Sequence, residues 1–93
     1  MDETNVTEKL IEVLQEIQRN SGYEYDGIVA DTCPLVDLEG FDSKLWPVAI
    51  RMLEKNLEVK IPESKNIYLS EDGTKKLTIK ESAAVVCKLA TTD

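Results

Sequence analysis

Apolar residues recur at a helical period in three separate segments of this chain, and that repeat constrains its fold more than any other feature. In the first segment Val6, Leu10, Val13, Leu14 and Ile17 share one stripe, with Glu8, Glu12, Glu16 and Arg19 opposite, which predicts an amphipathic helix over about residues 4–20. Thr4 or Asn5 is placed to cap its start, Glu8 falls in its first turn and Ser21-Gly22 supplies a stop. In the second, over residues 44–56, Leu45, Val48, Ala49, Met52 and Leu53 line one side and Lys44, Arg51 and Lys55 the other. Pro47 has no amide hydrogen and disfavours helical geometry at Trp46, so this helix is expected to begin between Lys44 and Pro47. In the third, over about residues 79–90, Ile79, Ala83, Val86, Cys87 and Ala90 form a stripe of mostly small residues that allows close approach to a neighbouring helix. Thr78 and Glu81 stand at the spacing of a reciprocal capping pair, and Cys87 reads as core.

Between these helices the periodicity fails. From Gly22 to Asp42, Tyr23, Tyr25, Ile28, Val29, Leu35, Val36, Leu38 and Phe41 are scattered among aspartates, glycines and Pro34, which predicts a long loop pinned onto the helices by its apolar residues. The tyrosines read as partly buried anchors rather than catalytic acids. Leu57 to Ile61 alternates and stops at Pro62; taken alone it suggests a strand that pairs with Ile67-Tyr68-Leu69, but an isolated two-stranded hairpin is marginal. Glu71 to Thr74 reads as a turn. With 93 residues there is material for a single domain, residues 1–93, and not for a two-domain enzyme.

Charge and composition narrow the chemistry. There is no histidine, which removes histidine triads and histidine metal sites together. Cys33 and Cys87 follow no metal or redox spacing and read as buried thiols. No glycine-rich phosphate loop is present, and a paired-carboxylate site would need convergence that sequence cannot supply, so an enzyme is not expected. The net charge of −7 argues against a nucleic-acid partner. That charge is unevenly placed: residues 1–42 carry 11 acids against 2 bases, residues 44–57 carry 1 against 3, and residues 58–93 carry 6 of each. The N-terminus is acidic and polar rather than basic then apolar, and the longest apolar run, Leu45 to Ile50, is too short to span a bilayer, so a cytoplasmic location is expected.

One local arrangement stands out, Leu38-Glu39-Gly40-Phe41-Asp42-Ser43, at the junction of the long loop and the second helix. A serine hydroxyl at a helix N-terminus suits a phosphate ester, because backbone amides and the helix dipole favour negative charge there; Asp and Ser in that place are equally the commonest helix caps. The wider spacing resembles the acyl carrier protein family. Asp42-Ser43 matches the Asp-Ser-Leu-like motif at the start of the family's second helix, Leu53-Glu54 its leucine and glutamate late in that helix, and Leu57 a large apolar position. Glu58-Val59-Lys60-Ile61-Pro62 resembles the family's segment ending in Ile-Pro, with Pro62 nineteen positions after Ser43. Asn66-Ile67-Tyr68 resembles its small third helix, and Leu77-Thr78-Ile79 with Ala83-Ala84 the entry to its last.

The resemblance implies an all-α bundle of three main helices plus a short helix in third position, a long loop between the first and second helices, and an extended connection from Leu57 to Pro62 in place of a strand. It implies that Ser43 is the covalent attachment point of 4′-phosphopantetheine, preceded by the motif residue Asp42. A phosphopantetheinyl transferase would load the arm, and acyl-transferring, synthase or ligase enzymes would act on its thioester cargo, with the carrier itself a monomer. Leu45, Val48, Met52, Leu57, Ile67 and Val86 are candidates for the interior lining, with ordinary core packing as the other reading. Three residues depart from the pattern: Lys44 stands where a leucine is usual, Leu45 where an acid is frequent, and Pro47 interrupts the helix. With the basic second helix they suggest a specialised carrier; the alternatives are an unmodified interaction protein of the same fold, or an aminoacyl or peptidyl carrier. Trp46 is expected to pack on Phe41 or the loop, or else to contact the arm or a partner.

Overall fold

The computed structural model describes residues 2–42, 44–62, 66–70 and 72–90. It is all-helical, with α1 at Glu3–Asn20, α2 at Pro34–Asp37, α3 at Trp46–Leu57 and α4 at Ile79–Leu89. Helix α1 is the hub, packing against both α3 and α4, and no comparable helix-to-helix contact joins α3 and α4 among the described residues. None of these helices is long and apolar enough to cross a membrane.

The expected stripe of α1 is buried in full, Val6, Leu10, Val13, Leu14 and Ile17 together with Gln18. Its start lies earlier than expected. Asp2, not Thr4 or Asn5, is the cap: its carboxylate accepts the Thr4 N–H at 3.0 Å, and a charged acceptor at the positive end of the helix carries the chain into helical geometry by Glu3. The stop is as expected. Gly22 takes φ +81°, the Tyr23 N–H returns to the Gln18 carbonyl at 2.9 Å and the Gly22 N–H to Arg19 at 3.2 Å, which satisfies carbonyls the last turn would leave orphaned.

Helix α3 begins within the predicted window, at Trp46, with Pro47 in the first turn where its missing amide hydrogen has no intrahelical bond to lose. Ala49 and Leu53 are buried and Leu45, Met52 and Leu57 half-buried, but Val48 is 45% exposed and belongs to the outer face. A helix supported mainly by α1 buries a narrower stripe than its hydrophobic pattern advertises. It ends at Glu58, held left-handed at φ 55°, with the Val59 N–H bonded to the Glu54 carbonyl. The Glu54 carboxylate then accepts the Ile61 N–H at 2.7 Å, folding the extended connection back over α3 and delivering Val59 and Ile61 to the core.

The capping pair ahead of α4 forms as predicted: Thr78 Oγ1 accepts the Glu81 N–H at 3.2 Å and Glu81 Oε1 accepts the Thr78 N–H at 3.0 Å. The two amides between them are claimed by the long loop, Ile79 N–H by the Thr32 carbonyl and Lys80 N–H by the Ala30 carbonyl. Ile79, Ser82, Ala83 and Val86 are buried, and Cys87 is half-buried rather than fully core. The loop is pinned as expected, through buried Ile28, Thr32, Pro34 and Phe41, and it contains the four-residue α2, which the sequence pattern did not reveal. Tyr23 and Tyr25 are more exposed than anchors should be, although the Tyr23 ring lies against Gly40: a Cβ there would come within 2.5 Å of a ring carbon.

Among the described residues Asn66–Tyr68 is a turn, and the short helix is α2, inside the long loop. The Asn66 carboxamide accepts the Tyr68 N–H at 2.9 Å, a local bond that competes with helical pairing. The chain then makes a tight turn closed by the Ser70 N–H on the Lys75 carbonyl and the Leu77 N–H on the Tyr68 carbonyl, with one antiparallel bridge between Leu69 and Lys76. The antiparallel pairing among the described residues thus joins the Tyr68–Leu69 stretch to Lys76–Leu77. Ile67 and Tyr68 are fully buried.

Candidate functional site

The segment from Phe41 to Trp46 joins the long loop to α3 and carries the Asp42-Ser43 pair. Ser43 itself lies outside the described residues. Asp42 and Lys44 are both exposed. The Asp42 carboxylate accepts the Lys44 N–H at 3.0 Å and the Asp42 carbonyl accepts the Leu45 N–H at 2.9 Å, making a turn ahead of the helix. The first helical bond follows, Ala49 N–H to the Leu45 carbonyl.

This geometry bears on the capping reading of Asp42 and Ser43. The N-cap of α3 is Leu45, which offers no side-chain acceptor, and Asp42 spends its carboxylate on the turn three residues upstream. Among the described residues no side chain caps α3 and no acid stands in its first turn, and the exposed Lys44 adds a cation beside its positive end. Such a terminus suits an anionic group on a neighbouring residue.

Both flanks of the segment rest on one residue. The Phe41 ring meets the Tyr68 ring edge-on, with centroids 5.4 Å apart at 89°, and the Trp46 ring lies tilted against the same tyrosine at 6.5 Å and 54°. Trp46 thus packs inward, as expected, but on Tyr68 rather than on Phe41 or the loop. Sequence reasoning missed Tyr68, and the only signal was an aromatic inside the short apolar run Ile67 to Leu69.

Tyr68 is completely buried, yet its hydroxyl meets no hydrogen-bond partner, and neither does the buried indole Nε1 of Trp46. Burial pushes the phenol far above its ordinary range, so it stays protonated and remains a donor. An unpaired buried polar group costs about 1–3 kcal/mol, which makes two on adjoining rings a notable concession in so small a core.

Of the residues expected to line an interior, Ile67 and Val86 are buried, Leu45, Met52 and Leu57 are half-buried, and Val48 faces outward. Among the described residues no three cysteine, aspartate or glutamate side chains converge as a metal site would require. Cys33 and Cys87 are half-buried and not joined in a disulfide. No protein-family model, curated protein or solved structure matches the chain.

Proposed function

We propose that this protein is an acyl carrier, with 4′-phosphopantetheine attached through a phosphodiester to Ser43. The observation that carries the reading is the N-terminus of α3, which no side chain caps among the described residues, directly after the exposed Asp42 and Lys44, an environment that favours the phosphodiester's negative charge. When attached, the group supplies a thiol that holds an acyl chain as a thioester. The chain's own residues present and position it: the Asp42 turn sets the approach to α3, Lys44 and the first turn of α3 offset the phosphate charge, and Phe41 and Trp46 fasten the segment to Tyr68. The protein catalyses nothing itself. A phosphopantetheinyl transferase loads it from coenzyme A, and acyl-transferring, synthase or ligase enzymes of fatty-acid, polyketide or related lipid synthesis act on the cargo; an aminoacyl or peptidyl cargo would change the partners and not the role.

The exposed Lys44 immediately after Ser43 favours a second reading, an interaction protein of the same fold that is never modified, because a cation there opposes docking of a transferase with a basic face. Intact-protein mass spectrometry after incubation with coenzyme A and a promiscuous transferase separates the two. The carrier gains one phosphopantetheine and Ser43→Ala gains none; a wild-type mass that stays unchanged decides for the interaction protein.

A further inference from the structure

We propose that a cavity between the outer face of α4 and the paired stretches around Leu69 and Leu77 binds a small monocarboxylate with a ring-bearing apolar body. No residue from Phe41 to Trp46 lines it, so the site is separate from the candidate attachment segment and stands whether or not Ser43 is modified. Its volume is about 570 Å³, within the range of small-molecule sites. Helix α4 has two apolar faces. Ile79, Ala83 and Val86 enter the core, whereas Ala84, Val85 and Leu89 are only half-buried and form one wall of the cavity. Leu69 and Leu77 stand on the other side, beside the antiparallel bridge.

The polar groups lining the cavity define the head of the ligand. Glu81 has both oxygens engaged, one by the Thr78 N–H and one by Lys75 Nζ, each at 3.0 Å. The Ser70 hydroxyl donates to Asp72 and accepts the Lys75 N–H. Asn66 holds the Tyr68 N–H with its carbonyl oxygen, so its NH₂ is the group it has left to offer. The exposed Lys88 pairs with no acid among the described residues. What remains is one cationic donor and one neutral donor, and their complement is a carboxylate. The carbonyl end of α4 carries roughly half a negative charge against the full charge of Lys88, which matches a single anionic charge and not a phosphate dianion. Width completes the description. Glu81 and Lys88 are separated by about 10 Å of helix, and 570 Å³ along that length is broader than one extended alkyl chain fills, which favours a ring.

The probe is 2-naphthylacetate, titrated into the ¹⁵N-labelled chain, wild type and Ser43→Ala alike. Saturable amide shifts are expected at residues 66–70, 73–77 and 84–89, with neutral 2-naphthylacetamide binding about tenfold more weakly. Lys88→Met keeps an apolar stem and removes the charge, so it should abolish the preference for the acid over the amide. Ala84→Phe fills the space and should remove binding of both. Lys88 is exposed, so its variant keeps the test decisive even where Ala84→Phe does not fold. No saturable shift below about 5 mM, shifts centred elsewhere, or a preference for the acid that survives Lys88→Met overturns the site.

Discussion

Glu54 shows how one side chain can look functional in sequence and prove architectural. It sits on the basic second helix as its lone acid, and its carboxylate is turned to the Ile61 amide at 2.7 Å, fastening the connection that brings Val59 and Ile61 into the core. A hydrogen bond to a charged group contributes about 1.5–3 kcal/mol, so Glu54→Ala should lower the unfolding free energy by that order in urea titrations. Glu54→Gln retains a carbonyl acceptor and should lose less than half as much; equal losses would assign the effect to something other than this bond. The spacing from Leu53-Glu54 to Ile61-Pro62 was legible as a pattern, but its cause was not, because the bond closes across seven residues through a left-handed Glu58 that only coordinates reveal. Tyr68 was illegible for a related reason: its importance comes from Phe41 and Trp46, which are distant in sequence.

At the scale of elements, what the sequence made readable was what is local. The Thr78–Glu81 pair, the Ser21-Gly22 stop and Pro47 in the first turn of α3 each act within a few residues, and each took its expected place. Asn66–Tyr68 is a turn because Asn66 redirects one amide, and α2 was missed because four residues carry too little periodicity to register. The approach to α4 also has an acid response. Thr78 and Lys75 hold the Glu81 carboxyl below its ordinary range, and the Ser70 and Thr74 hydroxyls with the Thr74 amide lower Asp72 to about 2. Depressed folded values mean that this stabilisation is complete above the ordinary carboxylate range and is lost as pH falls through the folded values, for Asp72 from near 3.8 down to about 2. The thermal midpoint of Asp72→Asn/Glu81→Gln should therefore start lower at pH 7 and fall less steeply over that acid window than wild type. Parallel acid limbs would show that neither carboxylate contributes.

For the whole molecule, the unequal division of charge now has a spatial meaning. The acids of residues 1–42 lie in α1 and the loop, while α3 exposes Arg51 and Lys55 along with Pro47 and Val48, and the exposed Lys44 precedes it. A transferase with a cationic docking face meets like charge there. On the proposed carrier function, Lys44→Glu/Arg51→Glu/Lys55→Glu should raise kcat/KM for Ser43 loading by such an enzyme about tenfold at low ionic strength, with the gain fading as salt approaches ~0.5 M. No gain at low salt would remove electrostatics from partner choice. A different consequence follows from α1 serving as hub and from the loop carbonyls of Ala30 and Thr32 completing the first turn of α4. During synthesis neither α1 nor the loop can find its full complement until residues 79–89 have left the ribosome. A nascent chain halted after α3 keeps part of the α1 apolar stripe bare and the loop without two of its anchors.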